Sequence, residues 1–277
     1  MKKIKAALHE HLKTSSKLKK GSFDKAIEYA IWRLGFHCIF GIADFDDKRY
    51  KHFIEMDGFD REYIGEDRRA VRIKSYGDNV DVGIVHGEEV PTKQGHLLVK
   101  GLGADTYLKH ERTIEDTIKE ARDYNPHAVI ILDHAFGWRG CGDYIVRNLD
   151  ILRKVDAIEG FNAEDLFGNK KARKFYMQQV TKFPHLGFIS TSDGHSWYEF
   201  CRTWTELDKP DYSSADKFSQ TFRRAVQSTD EYTTHSNNYL AGFFGAAVHA
   251  WNLEWILKIA PKLGLKSLYE TERPDNK

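Results

Sequence analysis

Histidine and carboxylate side chains recur in this chain at places where short apolar runs end. His9 and His11 follow the run KIKAAL, His134 follows AVIILD, and Asp193 and His195 follow FISTS. Imidazole and carboxylate together are suitable ligands for zinc, manganese or iron. A carboxylate can also bridge two ions about 3.5–4 Å apart, which together activate water for hydrolysis. The pattern therefore predicts a binuclear centre for divalent metals.

Further residues of the same types stand beside other apolar runs. They are Asp44, Glu88, Glu89, His96 and Glu159. Each piece has an ordinary structural alternative: a histidine after a strand can be a core residue, one of two adjacent glutamates can be solvated, and SDGH can be a plain turn. In parallel barrels, however, the active site is built from the carboxyl ends of several strands. Ligands that are distant in sequence would then meet.

The elements that must position these residues are short apolar runs alternating with longer helical patterns. This alternation is typical of an α/β chain with a parallel sheet. The predicted strands are residues 4–8, 38–43, 82–85, 96–99, 128–132, 157–159 and 186–190, with a shorter one near 71–74. The predicted helices are residues 23–34, 114–124, 144–155, 170–182, 215–227 and 239–262. We expect one domain over residues 1–235 and a helical extension over 236–277 packed against it.

Composition excludes several classes of protein. The chain of 277 residues has 42 basic and 41 acidic side chains, which argues against a strongly electrostatic nucleic-acid binder. No clear nucleic-acid surface is predicted, and no apolar run is long enough to span a membrane. The three cysteines are widely spaced, and the first apolar run is too short for a signal peptide, so we expect reduced thiols in a cytoplasmic protein. The oligomeric state is not predicted.

Taken in order, these motifs resemble the polymerase-and-histidinol-phosphatase (PHP) family of metal-dependent phosphoesterases. AALHEH is similar to the opening HxH motif of the family, and VHGEEVPTKQGHLLVKGLG to its Gly-x-Glu segment with the following strand. GIADFDD stands at the Thr-Asp-His position, ILDHAFG at Ala-His-Pro, and STSDGHS at the closing Ser-Asp-x-His motif. AIEGFNA resembles a segment whose acid lines the site. The match spans about residues 5–210. It implies a distorted seven-stranded, TIM-like barrel and hydrolysis of phosphate esters.

The resemblance also implies roles for individual residues. The implied ligands of the first ion are His9, His11, Glu89 and Asp193. The implied ligands of the second ion are Glu89, His96 and His134. Hydroxide activated by the metals would attack phosphorus, and His195 would orient the substrate or protonate the leaving oxygen. His195 is also a candidate ligand of a third ion. Arg139 is a candidate phosphate clamp because guanidinium pairs bidentately with phosphate oxygens, and Glu159 is expected to line the substrate site.

Two departures from the family pattern concern a third ion. Phe45 replaces the histidine of Thr-Asp-His, and Ser16 is the nearest counterpart of an acid that follows HxH. We therefore expect two ions, or a third site that is weak or is rebuilt with Asp44 or Asp46. Ala135 also replaces a proline, which should alter the local turn more than the ligation.

The leading interpretation is a metal-dependent phosphoesterase that acts on a phosphorylated small molecule or short nucleotide. One alternative keeps the barrel and the metals but cleaves an amide or a lactone. A second alternative is a degenerate PHP module that binds metal without turnover.

Overall fold

The computed structural model describes residues 2–11, 20–45, 48–76, 79–165, 167–195 and 199–236. The helices of this part are α1 (Lys20–Leu34), α2 (Arg49–Glu55), α3 (Ile114–Tyr124), α4 (Gly142–Arg147), α5 (Asn169–Gln179) and α6 (Ala215–Gln227). The strands are β1 (Lys3–Glu10), β2 (His37–Ile42), β3 (Arg61–Ile64), β4 (Ala70–Ile73), β5 (Asp81–Val85), β6 (Gly87–Thr92), β7 (Gly95–Lys100), β8 (Val129–Leu132), β9 (Ala157–Asn162), β10 (Gly187–Thr191), β11 (Thr203–Asp208) and β12 (Thr234–Ser236). The α/β class is therefore confirmed.

Two sheets carry these strands. The larger has the order β12-β11-β1-β2-β5-β4-β3, and the smaller has the order β10-β9-β8-β7-β6. Strands β1, β2 and β5 run parallel, as do β8, β9 and β10, whereas β6 and β7 form an antiparallel hairpin. The predicted closed, TIM-like barrel is not the arrangement found in the described part. The reason is that β4 pairs with the free edge of β5, so the larger sheet continues into β3 instead of closing onto β6.

Isolated bridges bring the two sheets together at the carboxyl ends of their strands. Glu10, the last residue of β1, pairs with Gly194 just beyond β10. Asp44, just beyond β2, pairs with Glu88 in β6. The residues that follow these strand ends are therefore neighbours in space, although they are far apart in sequence.

The core between the sheets is aliphatic. Leu8 and Ile39 of the larger sheet belong to the same buried cluster as Leu98 and Ile131 of the smaller one. Helix α1 covers the outer face of the larger sheet through residues such as Phe23, while α3, α4 and α5 cover the smaller sheet. None of the helices in the described part combines the length and the apolar run that a bilayer crossing requires.

Most predicted elements are present with small shifts in their ends. The segment between the predicted strands at 38–43 and 82–85 contains α2 and the β3–β4 hairpin, and β4 is the short strand predicted near residues 71–74. The helix predicted over 144–155 is instead α4 followed by a 3₁₀ helix at Leu149–Arg153, and the two are separated at Asn148 by a non-helical backbone with φ of −133° and ψ of 57°. The helix predicted over 239–262 lies outside the described residues, as does all but the first residue of the expected extension.

Candidate metal centre

Four donor atoms lie together at the carboxyl ends of β1 and β10. Nε2 of His11 lies 2.9 Å from Nε2 of His9 and 2.9 Å from Oε2 of Glu89. Oδ1 of Asp193 lies 3.5 Å from Nε2 of His9 and 3.3 Å from Nε2 of His11. Ligands around a tetrahedral zinc ion at about 2.0–2.2 Å are themselves about 3.3–3.6 Å apart. The distances from Oδ1 of Asp193 match this spacing, and the two distances of 2.9 Å around His11 are shorter. Donor atoms of His9, His11 and Asp193 lie within 4.8 Å of one another, so these three residues form a group that could hold one ion.

A second group adjoins the first. Oε1 of Glu89 lies within hydrogen-bonding reach of Nδ1 of His96 and 3.1 Å from Nε2 of His134. Oδ2 of Asp133 lies 3.3 Å from the same Nε2 atom. Donor atoms of these four residues lie within 4.8 Å of one another. Asp133 was not among the predicted ligands, although it directly precedes His134.

Glu89 is the residue that the two groups share, with one carboxylate oxygen in each. Its neighbour Glu88 faces the other way, and its Oε2 accepts a hydrogen bond from the backbone N of Leu108 at 2.7 Å. Successive side chains of a strand point to opposite faces, so only one of the two glutamates in β6 can enter the centre. The strand thus resolves the choice that the sequence left open.

Local backbone geometry turns the ligands inward. His9 and His11 are two residues apart at the end of β1, so both imidazoles project from the same face. His134 and Asp193 have left-handed backbones, with φ of +21° and +50°. Such conformations are unfavourable for residues other than glycine and persist where surrounding contacts fix them. Here the backbone N of His134 donates to Glu159 Oε2 at 2.8 Å.

Glu159 lies behind the ligands and is almost fully buried. Its Oε1 is 3.0 Å from Nδ1 of His9, and its Oε2 accepts from Nδ2 of Asn162 at 2.9 Å. The same Asn162 amide lies 3.1 Å from Oδ2 of Asp193. A partner on the far nitrogen of a histidine fixes its tautomer and orientation towards a metal. The geometry suits orientation of His9 more directly than the predicted contact with substrate.

Burial and neighbouring imidazoles shift the pKa values of the carboxyl groups in the centre. Burial would raise the pKa of Glu89, but the imidazoles around it, beginning with His11 and His134, hold that pKa well below its usual value. Burial would raise the pKa of Asp193 as well, and His9 and His11 among others keep it low. Burial dominates for Asp133, whose pKa lies well above the usual range.

The pKa of His9 is shifted in the opposite direction, upwards. Burial lowers the pKa of His9, but the carboxylates of Asp133, Asp193 and Glu159 outweigh it, and the pKa lies well above its usual value. Among the described residues, no lysine or arginine forms an ion pair with the carboxylates of this centre. Buried carboxylates require a compensating cation.

The donor set fits divalent metals. It consists of imidazole nitrogens and carboxylate oxygens, and these buried clusters could hold metal ions. Zinc, manganese and iron accept such ligands. The three cysteines, Cys38, Cys141 and Cys201, are buried free thiols and belong to none of the groups.

A fully buried lysine accompanies the centre. Lys100 extends from the end of β7, and its Nζ donates to the backbone O of Ile42 at 2.7 Å. A Cβ atom on Gly87 would lie 2.5 Å from Cδ of this lysine, so glycine is needed where the side chain passes. Burial lowers the pKa of Lys100 to about 7, against the opposing influence of Asp44, Asp133 and other carboxylates. Sequence reasoning did not identify this residue, because a lysine after an apolar run gives no sign of being buried.

Asp44 lies apart from the ligand groups. Its Oδ2 accepts from the backbone N of Tyr50 at 3.2 Å and lies 3.5 Å from Nε2 of His86. Among the described residues, it belongs to none of the clusters that could hold a metal. Ser16 and Asp46, the other residues considered for a third ion, lie outside the described residues.

His195 and Phe45 flank one of the candidate ligands. The ring of His195 stacks on His11 with centroids 4.6 Å apart, and its Nδ1 lies 2.8 Å from the backbone O of Asp193. The same Nδ1 is 3.4 Å from Oε2 of Glu164, an acid that the sequence did not indicate. Phe45 stacks on His11 and meets His96 edge-on.

Arg139 lies at the rim. Its backbone O accepts from the backbone N of His96 at 3.0 Å, which places the residue beside the second ligand group. Its guanidinium does not point back at that group but stacks on the exposed ring of Trp138, 4.4 Å from the centroid.

Comparison with known proteins gives structural matches. No family model matches the chain, and no curated protein matches it significantly. Among solved structures, PsfC from Pseudomonas syringae PB-5123 aligns with 91% of this chain and 100% of its own, at a TM-score of 0.62 and 17% identity. The lesion-specific endonuclease PfuEndoQ from Pyrococcus furiosus aligns with 83% of this chain, at a TM-score of 0.54 and 15% identity. This chain shares their fold. It spans 57% of the endonuclease's length, and identities this low establish the fold alone.

Proposed function

We propose that this protein is a PHP-type, metal-dependent phosphoesterase that uses two divalent ions. The observation that carries the proposal is the division of Glu89 between two groups of buried donors, with Oε2 beside His11 and Oε1 beside His134. A bridging carboxylate is what a pair of closely spaced ions needs. The ordered resemblance of the motifs to PHP phosphoesterases and the fold shared with an endonuclease support phosphorus as the centre attacked.

Each surrounding residue has a defined task in this proposal. When bound, the divalent ions supply Lewis acidity for water and charge neutralisation for phosphate oxygens. Glu89 would hold both ions through its two carboxylate oxygens, and Glu159 holds His9 with Nε2 facing the centre. Because Nδ1 of His195 is directed at the backbone O of Asp193, its Nε2 is on the opposite side of the ring and can give a proton to the leaving oxygen.

Two adjacent glutamates provide a matched test. Glu89→Gln should abolish turnover and sharply reduce bound metal, because a neutral amide cannot bridge two cations. Glu88→Gln should keep both, because it keeps an acceptor for Leu108 outside the centre. Elemental analysis after manganese or zinc loading, with phosphomonoesterase and phosphodiesterase assays on the same samples, measures these properties.

The same measurements separate the alternatives. About two ions per chain with phosphoester turnover supports the proposal. If the protein binds metal and hydrolyses amides or lactones but not phosphoesters, the phosphoesterase proposal is wrong and the amide or lactone hydrolase is supported. Bound metal without turnover of either class would indicate the non-catalytic module, and equal metal content in both variants would remove Glu89 as the bridge.

A further inference from the structure

Two large aromatic side chains are exposed on the loops that leave the centre. Trp138 is 70% exposed and comes four residues after His134, on the loop that follows β8. Phe167 is 87% exposed and comes three residues after Glu164, on the loop that follows β9. Neither ring contributes to the core, although both follow residues that build the centre.

The two loops that carry these aromatic residues pack against each other. A Cβ atom on Gly137 would lie 2.5 Å from Oδ2 of Asp165, which shows how closely the loops approach. Oδ1 of Asp165 accepts from the backbone N of Gly168 at 2.8 Å and from that of Phe167 at 3.2 Å. The position of Phe167 is therefore fixed by its own loop. We call the surface formed by Trp138, Arg139 and Phe167 the aromatic rim.

Positive charge adjoins the aromatic rim. The guanidinium of Arg139 lies over the ring of Trp138. Helix α5 begins two residues after Phe167, has the sequence NKKARKFYMQQ without an acidic residue, and exposes Lys170, Lys171 and Lys174. The net charge of +1 for the whole chain conceals this local excess.

We propose that the aromatic rim and the basic face of α5 bind a single-stranded oligonucleotide and lead it to the metal centre. Exposed aromatic rings stack on unpaired bases, and lysines beside them follow the phosphates; together these are the features of single-strand binding surfaces. Paired bases are already stacked, so a duplex gains little from the rim. The inference gives a substrate class to the phosphoesterase proposed above and rests on it, but binding is measurable separately from turnover.

Fluorescence anisotropy on the full chain tests the rim. The probes are a labelled 12-nucleotide DNA single strand, the RNA of the same sequence and the DNA duplex, all with phosphorothioate backbones to slow cleavage. Single strands should bind more tightly than the duplex, and the DNA and RNA arms identify the preferred sugar. Trp138→Ala and Phe167→Ala should each weaken single-strand binding at least about fivefold.

The chain contains a matched control. Trp32 is 74% exposed on α1, over the other sheet, and Arg33 lies 5.4 Å from its ring centroid. Trp32→Ala removes the same kind of ring next to the same kind of cation, and it should leave binding unchanged. Equal losses in Trp32→Ala and Trp138→Ala, or equal affinity for single strand and duplex, would overturn the proposal.

Salt dependence tests the lysines. The slope of log affinity against log salt concentration becomes shallower by about 0.7 for each phosphate of a single strand that the protein no longer neutralises. Lys170→Ala and Lys174→Ala should each reduce the slope by that amount, whereas Lys119→Ala, which removes a surface lysine paired with Asp123, should not. An unchanged slope in the α5 variants would remove the helix from the binding surface.

The two proposals fail in different ways. Hydrolysis of small phosphoesters without single-strand binding would refute the oligonucleotide surface and keep the phosphoesterase. Single-strand binding that depends on Trp138, without any phosphoester hydrolysis, would refute the phosphoesterase and keep the surface.

Discussion

The ring of Phe45 lies nearly parallel to that of His11, with centroids 4.9 Å apart and an angle of 13° between the planes. Where the PHP motif has a histidine, this chain thus places a hydrocarbon ring against one of its candidate ligands. Phe45→His should add a donor beside His11 and raise the metal content from about two to about three ions per chain. Elemental analysis after manganese or zinc loading measures the change.

Phe45→Leu is the control for that substitution. It keeps an apolar side chain at the position, so its metal content should equal that of the unaltered chain. An unchanged count in Phe45→His would mean that position 45 does not limit the number of ions.

Glu159 should act on metal affinity through His9. Glu159→Gln keeps the size of the side chain but weakens its bond to Nδ1 of His9 and removes a negative charge behind the ligand. Loss of such an outer partner typically reduces metal affinity about 10–100-fold. Zinc titration against a chromophoric chelator measures this, with Glu120→Gln, a half-buried acid that accepts from Arg112, as the control. Unchanged affinity in Glu159→Gln would contradict the orienting role.

The role of His195 depends on the leaving group. If His195 protonates the leaving oxygen, His195→Asn should lower kcat about 100-fold or more for alkyl phosphate esters. It should affect nitrophenyl esters much less, since nitrophenolate leaves without a proton. Glu164→Gln, which alters the neighbour 3.4 Å from Nδ1, should show the same selectivity with a smaller loss. Equal losses for both kinds of ester would instead indicate that His195 orients the substrate.

Asp81 should stabilise the fold above its pKa. Burial alone would raise the pKa of Asp81, but hydrogen bonds from Arg72 and Lys209 outweigh it and lower the pKa to about 2. A carboxyl with a pKa below its unfolded value of about 3.9 contributes stability above that pH, and the contribution is lost as pH falls through the folded pKa. Asp81→Asn should therefore lower the free energy of unfolding at pH 7 by about 1 kcal/mol, after discounting for partial solvent screening.

Urea unfolding at several pH values checks this prediction. The difference between Asp81→Asn and the unaltered chain should shrink as pH falls from about 4 to 2, because the carboxylate becomes protonated. Asp105 is the control: it also pairs with two cations, Lys51 and Arg68, but its side chain is 59% exposed. Asp105→Asn should have little effect at any pH, as is usual for exposed pairs. A constant difference for Asp81→Asn across the range would exclude the ion pairs as its cause.

Strand periodicity explains which residues of the candidate site could be predicted from the sequence. His9 and His11 are two residues apart in a run that is visibly a strand, so their common direction was predictable. The residue pattern alone left the choice between Glu88 and Glu89 open, and only the family resemblance favoured Glu89, because GEEVPT lacks the apolar alternation of a strand and contains a proline. Its strand character comes from pairing with β7, which is a tertiary contact.

Other features depend on long-range contacts. Asp133 and His134 belong to the same group of donors, and the backbone has a positive φ at His134, which the sequence does not indicate. Glu164 approaches His195 across two different loops. The pairing of β4 with β5, which keeps the larger sheet from closing, joins two segments that were each predicted as strands but whose patterns do not identify each other as partners. Single-residue patterns cannot specify such partners.

The position of Glu89 between the two groups of donor atoms also implies an order of assembly. The second ligand group is drawn entirely from residues 89–134, on the consecutive strands β6 and β7 and the end of β8. The first group combines Glu89 with His9 near the start of the chain and with Asp193, so it requires a much longer loop to close, at a higher entropic cost. During synthesis, the residues of the second group can come together when only about half of the chain has been translated. The first must wait until Asp193 has left the ribosome.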